Sequence, residues 1–155
     1  MKICMMSPKR YNNVYSVLRL ADGLGIEELI IVSPRDLIKE RLKRKLFSNR
    51  DPWSVITILD STRELRDYIA DEYVVSMELH PKAQDITTFQ WKDDPVIVVG
   101  PEDGNIPDEI ISISDDIVNL PMKGKVRCLN VACAATLAAW DYLIKNQQVI
   151  HDGKF

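Results

Sequence analysis

The sequence predicts an α/β fold, a mostly parallel sheet with helices on both faces. Short apolar segments alternate with helical patterns along the 155 residues. These segments are nearly continuous in apolar residues, as expected for strands buried on both sides of a sheet. The chain has the length of one ordinary domain, so we expect a single domain over residues 1–155.

The first half of the chain provides three predicted strands, at residues 1–6, 28–32 and 54–59. A helix from about Asn13 to Leu24 follows the first strand and ends at Gly25. A basic helix follows the second strand. A further helix follows the third, where Ser61 and Glu64 have the spacing of a capping box.

The second half provides strands at residues 73–77, 96–99 and 117–120. Pro107 suits the first position of a helix between the last two. A final helix is predicted from about Leu129 to Lys145. The piece between Glu78 and Pro95 has no predicted element, because its prolines disfavour continuous structure.

Two predicted strands end in polar loops that are candidates for one shared pocket, at residues 100–106 and 120–130. In open α/β sheets, ligands bind beyond the carboxyl ends of strands, where helix N-termini also present unpaired N–H groups. Gly100 and Gly104 allow close approach of the backbone, and Asp108 and Glu109 complement the helix dipole. The structural alternative is a well-formed loop and helix start.

Three motifs resemble those of the SpoU-type RNA 2'-O-ribose methyltransferases of the SPOUT class. The first is an Asn followed six residues later by an Arg, here Asn13 and Arg19. The second is VIVVGPEDG, in which the acidic residue is Glu102. The third is LPM at residues 120–122, followed by CLN at residues 128–130. The motifs occur in the family's order over almost the whole chain.

The resemblance implies S-adenosylmethionine-dependent 2'-O-ribose methylation of RNA. The short chain is most similar to minimal members that methylate the cytidine or uridine ribose in a transfer-RNA anticodon loop, which favours transfer RNA over ribosomal RNA. The family also implies a C-terminal trefoil knot and a homodimer that pairs through the first and last helices.

The resemblance also implies roles for individual residues. Arg19 is expected to act as a clamp on phosphate and ribose oxygens, oriented by Asn13 and Asn130, with Glu102 paired to Arg19 or Asn130. The general base stays open, because a guanidinium does not lose its proton in proteins. The residues expected to hold the cofactor are Met77, Gly100, Leu120, Met122, Cys128 and Leu129.

Each polar candidate has a structural alternative. Asn13 and Asn130 are also suitable N-caps for the first and last helices, and Arg19 fits an ordinary exposed helix position. Two departures from the family, Tyr15 for a Gly and Cys128 for a Ser, leave open a catalytically weak or inactive RNA-binding protein. A dinucleotide-binding oxidoreductase is disfavoured, because no Gly-x-Gly-x-x-Gly turn follows the first strand.

Charge and apolar patterning indicate possible partners. The net charge is −3, but the segment 35–50 has seven cations and two carboxylates, a local +5. This segment predicts either RNA contact or a solvated helix face. The final helix is apolar on nearly every side, so we expect it to be buried in the core or against a second copy.

Composition also excludes several classes. No apolar run approaches the ~20 residues that span a bilayer, and the N-terminus lacks a signal-peptide core, so we expect a cytoplasmic protein without membrane contact. Cys4 and Cys133 are predicted to be buried small hydrophobic residues. The three cysteines and two histidines lack zinc-ligand spacing, so no metal is expected.

Overall fold

Seven parallel strands form one sheet in the computed structural model, which describes residues 1–34, 38, 40 and 56–146. The strand order is β3-β2-β1-β6-β4-β7-β5. This arrangement confirms the predicted α/β class. The strands are β1 (Lys2–Met6), β2 (Glu28–Val32), β3 (Ile56–Leu59), β4 (Val74–Met77), β5 (Gln84–Asp85), β6 (Val96–Val99) and β7 (Asp116–Asn119).

Four helices of the described residues cover the sheet: α1 (Tyr11–Leu24), α2 (Thr62–Tyr68), α3 (Asp108–Ile111) and α4 (Val131–Lys145). Strand β1 is buried on both sides. Its Ile3 and Met5 pack with α1 and α4 on one face. Its Cys4 and Met6 pack with α2 and α3 on the other face. The basic segment predicted as a helix lies outside the described residues, apart from Ile38 and Glu40.

The predicted helix boundaries agree with local chemistry at two ends. Gly25 follows α1 with φ 64°, a left-handed conformation that a glycine adopts without steric cost. The Ser61 hydroxyl accepts a hydrogen bond from the Glu64 N–H at 3.2 Å, and the Glu64 carboxylate accepts one from the Asp60 N–H at 2.9 Å. The capping box is therefore confirmed, although the Glu64 carboxylate binds the N–H of Asp60 rather than that of the N-cap Ser61.

Other boundaries differ from the prediction by one or two residues. Helix α1 begins at Tyr11, and α4 begins at Val131 with Asn130 as its N-cap. Pro107 is the N-cap of α3 rather than its first residue. Strand β5 lies in the segment for which no element was predicted. Among the described strands it pairs with β7, and its two residues are too few to show a periodic pattern in the sequence.

Helix α4 is not buried on all sides. Ala135, Ala138 and Ala139 are fully buried, whereas Leu137, Trp140 and Ile144 are 44%, 44% and 52% exposed. Cys133 is also exposed, so its predicted burial was wrong, because it lies on the face of α4 away from the sheet. The predicted burial of Cys4 is confirmed, and that burial raises the pKa of its thiol.

The sheet order places the carboxyl ends of four neighbouring strands, β1, β6, β4 and β7, along one edge. Their following loops, near residues 7–10, 100–107, 78–80 and 120–130, meet there. Within the described ranges, every helix is too short or too polar to span a lipid bilayer. The trefoil knot stays a prediction.

Candidate active site

A cavity of about 450 Å³ opens at the carboxyl ends of the central strands. Its volume lies within the range of small-molecule sites. The two loops that the sequence predicted to share a site both line it, together with the residues after β4 and before α1. Among its lining residues are the predicted candidates Asn13, Met77, Gly100, Glu102, Leu120, Met122, Cys128, Leu129 and Asn130.

A chain of hydrogen bonds joins the three polar motif residues. The Asn13 Nδ2 donates to Glu102 Oε1 at 2.7 Å, and the Asn130 Nδ2 donates to Asn13 Oδ1 at 3.1 Å. The Asn130 Oδ1 in turn accepts from the Ala132 N–H at 2.9 Å, which caps α4. Each amide orientation is therefore determined by its partners at both ends.

This chain decides between the two interpretations of the asparagines. Asn13 lies inside α1 with a nearly buried side chain, so it is not the N-cap of that helix. Asn130 is the N-cap of α4 and at the same time lines the cavity. Because Asn130 uses one Nδ2 hydrogen on Asn13, its second hydrogen is available to donate to a bound oxygen.

Glu102 connects the loop after β6 to the start of α1. Its Oε2 accepts from the Lys9 N–H at 2.8 Å, and its Oε1 accepts from the Arg10 N–H at 3.1 Å as well as from Asn13. Burial alone would raise the pKa of this carboxyl, but the hydrogen bonds from Lys9, Asn13 and Arg10 outweigh it and lower the pKa below its ordinary 4.5. Glu102 is therefore an ionised residue that positions its neighbours.

Apolar side chains also line the cavity, and several of them are exposed. Leu79 is 65% exposed, and Met122 and Leu129 are each 37% exposed. Half-buried Met77 and Leu120 lie beside them. An apolar, partly open wall of this kind fits a flat ring system that would cover it on binding.

Gly100 and Gly104 lie in the loop between β6 and α3. A Cβ atom on Gly100 would lie 3.4 Å from the Cγ1 and N atoms of Ile106, and one on Gly104 would lie 3.5 Å from the Pro101 Cγ. These are ordinary van der Waals contacts, so the packing of the loop does not itself require glycine. Their predicted close approach to a ligand stays a prediction.

Three charged residues that the sequence motifs did not indicate also line the cavity: Arg10, Glu78 and Arg127. Glu78 accepts hydrogen bonds from the Ile106 N–H at 2.8 Å and from the Leu79 N–H at 2.9 Å. The bond to Ile106 fixes the C-terminal end of the loop between β6 and α3, the loop that also contains Glu102. Its position directly after β4 was the available signal, because residues after parallel strands share one edge.

Arg19 is exposed on α1 and does not line the cavity. Arg19 lies six positions after Asn13, and at about 100° per residue the two side chains lie on different faces of the helix. Glu102 was expected to pair with Arg19 or Asn130, but it is hydrogen-bonded to Asn13 instead. Within one chain, the structure does not bring Arg19 to the other candidates.

The two departures from the family motifs lie in different places. Tyr15 is 39% exposed on α1 and is not a lining residue, so it does not fill the cavity. Cys128 lines the cavity with an exposed thiol at the start of α4. Only the second departure changes the wall of the site.

Comparison with known proteins gives a family match over most of the chain. The model of the SpoU rRNA Methylase family matches residues 1–140. A tRNA (guanosine(18)-2'-O)-methyltransferase of Escherichia coli (strain K12) is 25% identical over 143 residues, covering 90% of this chain. The chain spans only 61% of the length of that relative.

A second relative matches this chain over most of its own length, and a solved structure has a similar fold. A tRNA (cytidine(34)-2'-O)-methyltransferase of Beijerinckia indica subsp. indica is 25% identical over 142 residues, which cover 91% of this chain and 89% of the relative. The AdoMet-bound rRNA methyltransferase structure from Sinorhizobium meliloti has a TM-score of 0.77 at 19% identity and covers 96% of this chain and 56% of its own. That structure shares the fold.

Proposed function

Since this chain belongs to the SpoU rRNA methylase family, we propose that it transfers a methyl group from S-adenosylmethionine to a ribose 2'-hydroxyl of RNA. The observation that carries the proposal is the hydrogen-bonded set of Glu102, Asn13 and Asn130 on one wall of the cavity. These residues come from three separated motifs and meet beside a site of suitable size.

The cavity fits the chemical groups of this cofactor. The apolar wall at Met77, Leu79 and Leu120 suits the adenine ring, and the carboxylates of Glu78 and Glu102 suit the positive charge of the sulfonium and amino groups. The remaining predicted cofactor residues, Gly100, Met122, Cys128 and Leu129, lie on the same cavity.

When bound, the cofactor supplies an activated methyl group, so the task of the protein is to position the acceptor and stabilise its charge. The free Nδ2 hydrogen of Asn130 is placed to donate to the ribose oxygen. Asn13 holds that amide in register, and Glu102 holds Asn13. Glu102 is a weak proton acceptor because its pKa is lowered, so we assign it to positioning rather than to general-base catalysis.

The proposed dimer rests on one exposed apolar stripe. Leu137, Trp140 and Ile144 lie on one face of α4 at helical spacing, and α4 packs against α1, whose Tyr15 is also exposed. Contiguous apolar surface of this kind commonly marks an interface. We assign it to a second copy of this chain, because the family resemblance pairs subunits through these two helices.

The dimer is tested by introducing a charge into the stripe. Leu137→Glu should convert a dimeric protein to a folded monomer in analytical ultracentrifugation, since an unpaired carboxylate is costly to bury. Arg66→Glu on exposed α2, on the other face of the sheet, is the matched control and should stay dimeric. A monomeric wild type, or a dimer that tolerates Leu137→Glu, would contradict the assignment.

Arg19 reaches a site only across such a dimer. A mixture of Arg19→Ala and Asn130→Ala, each inactive alone, should then recover about a quarter of wild-type activity, because about half of the dimers are mixed and each has one intact site. If the mixed dimers regain no methyltransferase activity, Arg19 does not act in the site of the partner subunit.

We further propose that the substrate is transfer RNA. The supporting observation is the Beijerinckia relative, named for a transfer-RNA position, which matches this chain along nearly its full length. The protein should be incubated with labelled S-adenosylmethionine and, in separate reactions, with transfer RNA and with ribosomal RNA, and each RNA digested to nucleosides. We expect label in a 2'-O-methylnucleoside of transfer RNA. Label confined to ribosomal RNA would contradict the proposal and identify ribosomal RNA as the substrate.

The alternative is an RNA-binding protein without catalysis, which the cavity-lining Cys128 favours, since a thiol is a weak donor compared with the family's hydroxyl. It predicts RNA retention without label. The preserved hydrogen bonds among Glu102, Asn13 and Asn130 favour catalysis.

A further inference from the structure

The loop between β7 and α4 is a cationic surface at the mouth of the cavity. Each of residues 121–130 is exposed. The stretch contains Lys123, Lys125 and Arg127 and no carboxylate, although the whole chain has a net charge of −3. Arg127 lines the cavity, whereas Lys123 and Lys125, between the lining residues Met122 and Arg127 in sequence, are not among its lining residues. The loop beside the cavity therefore presents three exposed positive charges.

Arg10 approaches the same cavity from the start of α1. Its backbone N–H donates to Glu102, and its carbonyl accepts from the Asn13 N–H at 3.0 Å. The Arg10 backbone is therefore hydrogen-bonded to two of the three residues of the proposed positioning set, Glu102 and Asn13. The side chain is exposed and lines the cavity.

Both guanidinium groups are available for a ligand. Among the residues that the structure describes, neither the Arg10 nor the Arg127 guanidinium has a hydrogen-bond or ion-pair partner. The neighbouring Lys9 differs, because its ammonium group is paired with Asp103. An arginine presents a planar fork of donors that matches phosphate oxygens in pairs.

We infer that Arg10 and Arg127 hold backbone phosphates next to the ribose that is methylated, and that Lys123 and Lys125 extend this contact along the RNA. The inference rests on the proposed function and adds to it the residues that align the substrate. The carboxylate of the cofactor is the other possible anion. That carboxylate is one small group inside the cavity and would leave the exposed Lys123 and Lys125 without a role, whereas a polyanion can contact all four cations.

This surface differs from the one predicted from sequence. The charge count pointed to residues 35–50, of which only Ile38 and Glu40 are described. Three cations in ten residues are a weaker signal than seven in sixteen. Only the fold places Arg127 on the same cavity as Arg10.

The test is RNA affinity measured by fluorescence anisotropy over a series of salt concentrations, without cofactor, using the RNA that the wild type retains from total small RNA. Arg10→Ala and Arg127→Ala should each reduce the slope of log K against log salt by about 0.7, the value for one phosphate contact on a single strand. The double variant should lose about 1.4. Arg66→Ala, an exposed arginine on α2, is the matched control and should keep the wild-type slope.

A second measurement separates the two possible anions. The affinities for S-adenosylmethionine and for 5'-methylthioadenosine, which lacks the carboxylate, should be measured by calorimetry on the same variants. Both should stay at wild-type values. A loss confined to S-adenosylmethionine, with an unchanged salt slope, would assign the arginines to the cofactor carboxylate and overturn the inference.

The failure of this inference is distinguishable from failure of the proposed function. Unchanged slopes in both arginine variants overturn the inference, while methyl transfer by the wild type leaves the function standing. Reduced slopes with no methyl transfer by the wild type support the phosphate contacts and remove the catalytic proposal. A wild type that binds no RNA overturns both. Arg10→Lys and Arg127→Lys should keep most of the slope but bind more weakly, because the ammonium keeps the charge and loses the fork.

Discussion

Replacement of Glu102 by alanine tests the positioning set most directly. The change removes the acceptor of three hydrogen bonds, from the Lys9 N–H at 2.8 Å, the Arg10 N–H at 3.1 Å and the Asn13 amide at 2.7 Å. Hydrogen bonds to a charged group contribute about 1.5–3 kcal/mol each where the partner stays buried. Asn13 is 8% exposed, so water replaces its lost partner poorly, whereas the Arg10 N–H is exposed.

We therefore expect Glu102→Ala to lower the free energy of unfolding by about 3 kcal/mol. For a chain of this size that corresponds to a melting temperature lower by about 6–12 °C. Glu102→Gln should lose about half as much, because its amide retains one acceptor oxygen and turns an NH₂ toward the other donors. Glu109→Gln, an exposed carboxylate on neighbouring α3, is the control and should change stability by about 0.5 kcal/mol or less.

The pH dependence of the same variants checks the ionised state. The folded-state pKa of Glu102 is lowered, so its carboxylate contributes stability that is present above its ordinary 4.5 and is lost as pH falls through the folded pKa. The stability gap between wild type and Glu102→Gln in urea unfolding should be full at neutral pH and narrow below 4.5. A melting temperature of Glu102→Ala within about 2 °C of wild type would refute the hydrogen-bond reasoning. A stability difference that stays constant below pH 4.5 would contradict the conclusion that Glu102 is ionised in the folded protein.

Three further changes address separate features. Asn130→Ala should cost about 1–2 kcal/mol in chemical unfolding, since it removes the cap of α4 and the bond to Asn13; full stability would contradict the cap. Gly25→Ala should cost about 1 kcal/mol at φ 64°, and an unchanged melting curve would argue against the left-handed turn. Alkylation with iodoacetamide should block cofactor binding to wild type but not to Cys128→Ser, which retains the exposed Cys133; equal inhibition of both would place the sensitive thiol elsewhere.

Much of the fold could be predicted from local patterns. The continuous apolar segments at residues 28–32 and 96–99 became strands β2 and β6 with the predicted bounds. Gly25 and Ser61 ended and began helices where their backbone and side-chain chemistry requires it. Burial and capping act on neighbours in the chain, and for this reason the sequence displays them.

The candidate site was predicted through motifs rather than through contacts. The family resemblance identified nine candidates that line the cavity, including Gly100 and Met77, and one, Arg19, that does not. It did not identify Arg10, Arg127 or Glu78, because each is an ordinary charged residue until the fold places it beside the others. It also placed Cys133 in the core, since the apolar character of α4 does not tell which side faces the sheet.

The sequence by itself determined the α/β class, the positions of most elements and, through its motifs, many of the residues that line the cavity. Only the tertiary structure decided that β1 lies between β2 and β6, that Glu102 bonds to Asn13 across 89 positions of the chain, and that Arg19 lies away from the cavity of its own chain. The physical reason is that periodicity reports which face of an element is buried. The partner that covers that face is selected by packing of the whole chain, between residues whose separation in sequence carries no local signal.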